Sequence, residues 1–144
     1  MKDVKADLVV SNEMQNLAVV RDFLLKTLDK GEVPSRPARL ITLAVDEAVS
    51  NIIRHAYVDF SRGTRTIDIT VSVRNVCVEI TLRDSGRDFD PSGQDAPDLQ
   101  RHVEERRRHG LGLFLIRKVM DEVEYVFRAG VENVLRMVKY VDGE

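Results

Sequence analysis

The chain has 144 residues, 43% of them hydrophobic and 32% charged, which is typical of one folded domain with a buried core and not of a disordered chain. Its 22 Lys and Arg residues against 24 Asp and Glu residues give a net charge of −2, without the basic excess of a general nucleic-acid binder. The single cysteine, Cys77, excludes an intrachain disulfide and a cysteine zinc cluster, and its place in a strand pattern favours a structural thiol.

The apolar runs and the N-terminal segment bear on location. No apolar run approaches the ~20 residues that a membrane span needs. The opening segment, MKDVKADLVV, is too short and too charged for a signal peptide. We therefore expect a single domain over residues 1–144 in the cytoplasm, with no direct contact to a membrane or to nucleic acid.

The first part of the chain predicts one strand and two helices. A short strand is expected over Val4–Val10. Apolar residues at helical spacing then predict an amphipathic helix that ends at Gly31. After Pro34 and Pro37, a second helix is expected from about Ala38 to Tyr57.

A row of polar side chains distinguishes the second helix. Glu47, Asn51 and His55 are spaced four residues apart, so they line up along one edge of its apolar stripe. A carboxylate, an amide and an imidazole at the boundary between core and solvent can line a pocket, where burial can shift a pKa. Taken alone, the row favours a simpler interpretation, in which the polar side of an amphipathic helix begins there. The motifs downstream reverse that preference.

Two segments of strict alternation predict a β-hairpin. Apolar and polar residues alternate over 66–73 and again over 76–83, with Arg74 and Asn75 between them. One face of this hairpin must be buried, which predicts antiparallel pairing with the helices covering that face. The second strand runs directly into Asp84-Ser85-Gly86.

The remainder of the chain completes an α+β layout. Residues 92–109 form a long polar connection, which in a compact domain is more often functional than accidental. Gly110-Leu111-Gly112 then opens an apolar helix, Leu113–Met120, and two strands follow over Val123–Ala129 and Val134–Val141. The prediction is a two-layer sandwich, a mostly antiparallel mixed sheet covered on one face by helices.

Two short motifs each carry a weak chemical signal. Gly110-Leu111-Gly112 suggests an anion site, because glycines let the backbone approach a phosphate and helix-start N–H groups point at it. It lacks the context of a Walker loop or a dinucleotide fingerprint, and a glycine pair is also a common helix entry. In Asp84-Ser85-Gly86, the acid could accept a hydrogen bond from an exocyclic amine, and the glycine could leave room for a flat ring. Alternatively, the segment could be a turn that ends the strand.

The order of the motifs is more specific than any one of them. A helix with Glu-x-x-x-Asn, a strand ending in Asp-x-Gly, a variable loop and a Gly-x-Gly helix start resemble the GHKL, or Bergerat-fold, ATPases. The resemblance is strongest to the small anti-sigma-factor serine/threonine kinases and covers nearly the whole chain. The matching pieces are Glu47-Ala48-Val49-Ser50-Asn51, His55-Ala56-Tyr57, Asp84-Ser85-Gly86, Phe89-Asp90-Pro91, Gly110–Ile116 and the tail Met120–Tyr125.

The resemblance implies a role for each matching position. Asn51 would hold Mg²⁺ against the phosphates of ATP or ADP, and Glu47 would be the general base. Asp84 would bind the adenine amino group, with Gly86 beside the ring. These assignments are expectations that come from the family.

Further positions are implied around the phosphates. Arg54 and His55 would lie near phosphate and nucleoside, residues 92–109 would form the nucleotide lid, and Gly110-Leu111-Gly112 would be its phosphate-side hinge. Within the lid, Arg106–Arg108 offers at most one cation to the γ-phosphate, or else forms a solvated helix face.

The implied activity is that of an Mg-ATP-dependent serine/threonine protein kinase. Its substrate would be an anti-anti-sigma (STAS) protein, and it would also sequester a sigma factor, as a homodimer. Two alternatives stay open: a non-catalytic, ATP-gated partner-binding module, and an adaptor on the same fold without nucleotide. Asp88 and His109 stand where the broad family pattern has glycines, which gives the binding module some weight.

Overall fold

The computed structural model describes residues 1–56, 66–84, 110–128 and 132–141. The side chains of residues 55, 56, 110–113, 127 and 128 lie outside that description. The described elements, in chain order, are β1 (Val4–Ser11), a 3-10 turn (Met14–Asn16), α1 (Leu17–Lys30), α2 (Ser35–Ala56), β2 (Thr66–Arg74), β3 (Cys77–Asp84), α3 (Gly110–Val119), β4 (Glu122–Arg128) and β5 (Glu132–Tyr140).

The predicted elements are all present, with shifted ends. Helix α2 begins at Ser35, three residues before the expected start, because Pro37 lies in its first turn, where a backbone N–H has no helical partner. Helix α3 includes the glycine motif and begins at Gly110. The hairpin turn is one residue later than expected, since Arg74 still pairs with Cys77.

The five described strands form one sheet in the order β1-β2-β3-β5-β4. Every described pair of neighbours is antiparallel, which confirms the expected mostly antiparallel sheet, and no parallel pair of a mixed sheet occurs among the described strands. The reason is the position of β5. It returns from β4 after three residues and pairs on its other side with β3, so it separates β3 from β4, which run in the same direction.

One face of the sheet is buried beneath the helices, as the alternation predicts. The inward residues of the hairpin are at most 1% exposed: Ile67, Ile69, Val71, Val73, Val78, Ile80 and Leu82. Helix α2 packs between α1 and α3 and contributes Ile41, Val45, Val49 and Ile53, none of them more than 1% exposed. Complete burial of such a side chain contributes about 1.5–3 kcal/mol, so this shared core holds the layers together.

The end of α1 is closed by a Schellman motif. The Val33 N–H donates to the Leu28 carbonyl at 3.0 Å, and the Glu32 N–H donates to the Asp29 carbonyl at 2.9 Å. The position that is usually glycine in this motif is Glu32, whose φ of 56° lies in the left-handed region. The turn therefore carries strain that a glycine would relieve.

Gly31, one residue earlier, is needed for a different reason. Its φ of −78° is ordinary, so its backbone would accept any residue. A Cβ at this position would lie 2.9 Å from Cγ2 of Val73 in β2. Gly31 thus lets the end of α1 approach the sheet closely.

The other face of the sheet is polar. Arg136 of β5 donates to Glu79 of β3 at 2.9 and 3.0 Å, and it lies 3.6 Å from Glu122 and 3.9 Å from Glu124 of β4. This network connects the three strands across the outer face. None of the described helices is long and apolar enough to cross a membrane.

Candidate functional site

Glu47 and Asn51 lie one turn apart on α2, as predicted, and both are half-buried. The residues between them are anchored in the core, with Ala48 2% and Val49 0% exposed, so the orientation of both side chains is fixed by packing. The Glu47 carboxylate makes no hydrogen bond or ion pair with any part of the chain that the structure describes. No described residue therefore competes with a proton or a ligand for this carboxylate.

The Asn51 amide is held loosely. The exposed Arg54 donates from Nη1 to Asn51 Oδ1 at 3.4 Å, which is near the long limit for a hydrogen bond. The expected place of Arg54 near phosphate and nucleoside stays a prediction. A cation at Oδ1 would have to displace this contact, and because the contact is long and exposed, displacing it costs little.

Asn51 fits a magnesium ion that takes its other ligands from a nucleotide and from water. Its amide offers a hard oxygen atom, which Mg²⁺ prefers. Among the described residues no group of three or more His, Cys, Asp or Glu side chains could hold a metal ion. Mg²⁺ typically takes one or two protein ligands and completes its shell with phosphate oxygens and water, which suits this arrangement.

The second part of the site is the end of β3. Asp84 continues the inward row of Ile80 and Leu82, so its carboxylate lies on the helix-covered face. Directly opposite, Asn133 of β5 donates from Nδ2 to Asp84 Oδ1 at 2.9 Å, in a partly buried position. This bond fixes the orientation of the Asp84 carboxylate.

Asn133 was not among the residues expected from the sequence. Its other polar atom, Oδ1, is buried without a hydrogen-bond partner. The amide orientation is determined by the neighbouring carboxylate, which accepts hydrogen bonds when ionised. A buried acceptor without a partner costs about 1–3 kcal/mol, so Oδ1 is suited to a donor from a ligand or a bridging water.

Helix α3 supplies the third part. Gly110, Leu111 and Gly112 form its first turn, as the sequence indicated. No acidic side chain occurs in that turn, and Arg117 and Lys118 lie in the last one. The positive end of the helix dipole is therefore not neutralised by a carboxylate from its own first turn.

Chain connectivity relates these parts to one another. The 85–109 segment leaves the end of β3 and enters α3, and α3 packs against α2 in the same layer. The His55 side chain, Gly86, Asp88, His109 and the expected lid 92–109 with Arg106–Arg108 lie outside the described residues.

A shallow cavity of about 540 Å³ lies elsewhere, on the outer face of the sheet. Its walls include Asp7, Arg74, Cys77 and Glu79. The helix-covered face carries Asp84, so this cavity is separate from the candidate site.

Comparison with known families shows that the Histidine kinase-like ATPase domain matches residues 10–139. The chain belongs to this family. The expected family and the expected α+β fold are thereby confirmed.

Two similar curated proteins are serine-protein kinases named RsbW. The one from Bacillus velezensis is 35% identical over 108 residues, which cover 72% of this chain and 65% of that protein. The one from Staphylococcus aureus is 34% identical over 106 residues, covering 71% of this chain and 65% of that protein. The matched region thus spans 65% of the length of these relatives.

Two solved structures share the fold. The RsbU and RsbW domains of a Mycobacterium tuberculosis protein superpose with a TM-score of 0.66 at 15% identity, covering 95% of this chain and 32% of that one. The SiaB–SiaC complex from Pseudomonas aeruginosa gives 0.61 at 18% identity, covering 91% and 88%. At these identities the likeness concerns the fold alone.

Proposed function

We propose that the protein is an Mg-ATP-dependent serine/threonine protein kinase that acts on a protein substrate. The observation that carries the proposal is the pair on α2: a half-buried Glu47 without a partner among the described residues, one turn from Asn51. Membership of an ATPase family and similarity to two serine-protein kinases supply the reaction class.

In this proposal, the end of β3 recognises the nucleotide base. Asp84, oriented by Asn133, accepts a hydrogen bond from the adenine amino group, and Gly86 lies beside the ring. The buried Oδ1 of Asn133 gives the same region a second acceptor. Two acceptors side by side favour a ligand that presents N–H donors, which is the character of the adenine amino group.

Residues of α2 and α3 bind the phosphates. Asn51 offers an oxygen to Mg²⁺, Arg54 and His55 lie near phosphate and nucleoside, and Gly110-Leu111-Gly112 faces the phosphates with backbone N–H groups. When bound, Mg-ATP supplies the γ-phosphoryl group and the cation neutralises its charge. Residues 92–109 serve as the lid.

Glu47 acts on the incoming hydroxyl. It accepts the proton of a serine or threonine side chain while the hydroxyl oxygen forms a bond to the γ-phosphorus and the bond to the β-phosphate oxygen breaks. The products are a phosphorylated protein and ADP. The absence of a partner for the Glu47 carboxylate among the described residues supports this role, because a base must be free to accept a proton.

The partners follow from the family resemblance. The substrate is an anti-anti-sigma (STAS) protein. In its unphosphorylated form, the STAS protein competes with a sigma factor for binding to this chain. The chain acts as a cytoplasmic homodimer. The names of the RsbW relatives support the kinase assignment.

The test compares Glu47→Gln, Asn51→Ala and the control Asp46→Asn with the parent. Each is incubated with labelled ATP, Mg²⁺ and a candidate STAS protein, and nucleotide affinity is measured in parallel. Glu47→Gln should lower phosphotransfer by about 10²- to 10⁴-fold and leave nucleotide binding nearly unchanged. Asp46 pairs with Arg21 at 3.0 Å instead of facing the site, so its variant should stay active.

Three outcomes would contradict parts of the proposal. Full transfer by Glu47→Gln would remove the role of general base from Glu47 and leave the kinase activity in place. A parent protein that binds Mg-ATP tightly but transfers no phosphate to any STAS protein tested would support the non-catalytic, ATP-gated module instead. Absence of any nucleotide binding would leave the adaptor interpretation.

A further inference from the structure

The solvent side of α2 carries a row of side chains that leads to Glu47. We call this row the α2 ridge and define it as Arg36, Arg39, Leu43 and Glu47. At about 100° per residue, the four positions fall within about 80° of one another around the helix axis. Along the axis, Leu43 lies about 6 Å, Arg39 about 12 Å and Arg36 about 16 Å from Glu47, toward the start of α2.

The ridge is exposed. Leu43 is 45% exposed, although it lies between core residues of the same helix, and both arginines are exposed. A single exposed leucine is ordinary on a protein surface. What sets Leu43 apart is its position, one turn from the proposed base and on the same side of the helix.

The two arginines of the ridge are not paired within the described structure. Arg36 and Arg39 form no ion pair with any residue in the described segments. Two other cations on the helical layer are paired, Arg21 with Asp46 and Lys26 with Asp22, each at 3.0 Å. The start of α2 therefore presents two positive charges that the described part of the fold does not neutralise.

Glu47 defines where a substrate must lie. Its carboxylate has to reach the hydroxyl of the incoming serine or threonine within hydrogen-bond distance. A folded substrate is wider than one side chain, so its surface around that hydroxyl also meets neighbouring parts of α2. Leu43 then faces the substrate about one turn away, and the arginines face it farther along.

We infer that the α2 ridge is a docking surface for the protein substrate and selects it by two features. The first is an apolar side chain about 6 Å from the phosphoacceptor hydroxyl, which packs on Leu43. The second is an acidic group roughly 12–16 Å from that hydroxyl, which pairs with Arg39 and Arg36. This inference rests on the proposed kinase function and adds the determinants of its substrate.

The test uses two ridge variants with matched controls on α1. Leu43→Asp is compared with Leu25→Asp, because Leu25 is equally exposed at 43% but lies on the other helix. A double variant that reverses the two ridge charges, Arg36→Glu and Arg39→Glu, is also made. It is compared with a double variant on α1, Lys26→Glu and Lys30→Glu. Initial rates of STAS phosphorylation are measured at saturating Mg-ATP, at two salt concentrations, with nucleotide affinity and circular dichroism as checks on folding.

We expect each ridge variant to raise the KM for the STAS protein about tenfold, with kcat, nucleotide affinity and the circular dichroism spectrum unchanged. The parent KM should rise with salt, and the arginine reversal should remove most of that dependence, since exposed charge pairs are screened. The α1 controls should stay within twofold of the parent. A STAS variant with its acidic group reversed to lysine should recover affinity for the arginine reversal.

Several results would overturn the inference. One is a KM within twofold of the parent in both ridge variants of an active kinase, and another is an equal effect in the α1 controls. A change of oligomeric state in sedimentation without a change in KM would make the ridge a contact between copies of this chain. If Leu43→Asp fails to fold, Leu43→Ala takes its place.

Failure of the kinase proposal would be recognisable separately. In that case the parent itself transfers no phosphate, and the same variants are compared by calorimetric binding of the STAS protein in the presence of ADP. A tenfold loss of affinity confined to the ridge variants would retain the docking surface without the kinase. Unchanged affinity of the ridge variants for the STAS protein would contradict the docking surface as well as the kinase.

Discussion

Asp84 and Asn133 form the most constrained pair of candidate site residues. Their bond of 2.9 Å is partly buried, and the same amide leaves its oxygen buried without a partner. Proteins tolerate such an acceptor where a ligand or a water completes it. At the residue scale, Asn133 Oδ1 is thus suited to a donor that no described residue supplies.

Substituting Asn133 with alanine should lower the affinity for ADP about tenfold, because it releases the Asp84 carboxylate and removes a second acceptor, a loss of about 1–1.5 kcal/mol. Calorimetry with and without Mg²⁺ gives the measurement. The effect should persist without the cation, whereas Asn51→Ala should weaken binding only when Mg²⁺ is present. Equal ADP affinity in Asn133→Ala and the parent would separate this residue from nucleotide binding.

Cys77 allows a prediction about pH. Burial raises the pKa of its thiol above the ordinary value of 9.0, and the carboxylates of Glu79 and Glu122 raise it further. A raised pKa disfavours the thiolate, which is the reactive form, so native Cys77 should stay protonated at pH values where the unfolded chain begins to ionise. The folded state accordingly loses stability as the pH rises above the thiol pKa of the unfolded chain.

We expect native protein to label more slowly than urea-unfolded protein, and its labelling rate to keep rising with pH beyond the pH at which the rate of the unfolded protein levels off. The measurement is the labelling rate across pH 7.5–10.5, followed by mass spectrometry. Fast labelling of native protein near pH 8 would contradict the raised pKa.

At the scale of elements, the end of α1 needs a left-handed backbone and a close approach to the sheet. One glycine often meets both requirements, but here they fall on two neighbouring residues. Glu32 adopts the left-handed conformation, and Gly31 provides the close approach to Val73. The residue at the strained position is therefore not the residue at the crowded position. Neighbouring substitutions should have opposite effects on stability.

Glu32→Gly should raise the free energy of unfolding by up to about 1 kcal/mol, because glycine adopts a positive φ without strain but costs more entropy on folding. Gly31→Ala should lower it by about 1–3 kcal/mol, because the added methyl group overlaps Val73. Urea unfolding measures both. Combining Gly31→Ala with Val73→Ala should recover part of the loss, and destabilisation by Glu32→Gly would argue against strain at that position.

At the scale of the whole molecule, nucleotide binding should be visible as stability. A ligand that binds only the folded state and is present at about 100 times its Kd adds ~2.7 kcal/mol to the free energy of unfolding. For a domain of this size, this raises Tm by roughly 5–10 °C. We expect Mg-ADP to raise Tm by this amount, with part of the gain lost on chelation of Mg²⁺. In Asn51→Ala the chelator should have no effect, and a parent Tm that does not respond to nucleotide would contradict the proposed site.

The sequence predicts the parts of this molecule that depend on local patterns. Strict alternation from Thr66 onward is sufficient for the hairpin, and four-residue spacing is sufficient for the row of Glu47 and Asn51. The pairing of Asp84 with Asn133 could not be predicted, because it depends on β5 lying next to β3, a contact between residues 49 positions apart. The antiparallel character of the whole sheet depends on that same long-range choice. The roles of the site residues came from the family resemblance and stay predictions.

The position of β5 has a consequence for synthesis of the protein on the ribosome. Strands β1, β2 and β3 can pair as soon as they emerge, but the free edge of β3 is covered only by β5, which follows all the other described strands along the chain. Until that strand leaves the exit tunnel, the nascent chain displays an unpaired edge with apolar side chains, which favours association with other chains. Completion of the sheet by β5 is also the event that brings Asn133 to Asp84, so the candidate adenine subsite forms only after β5 has left the exit tunnel.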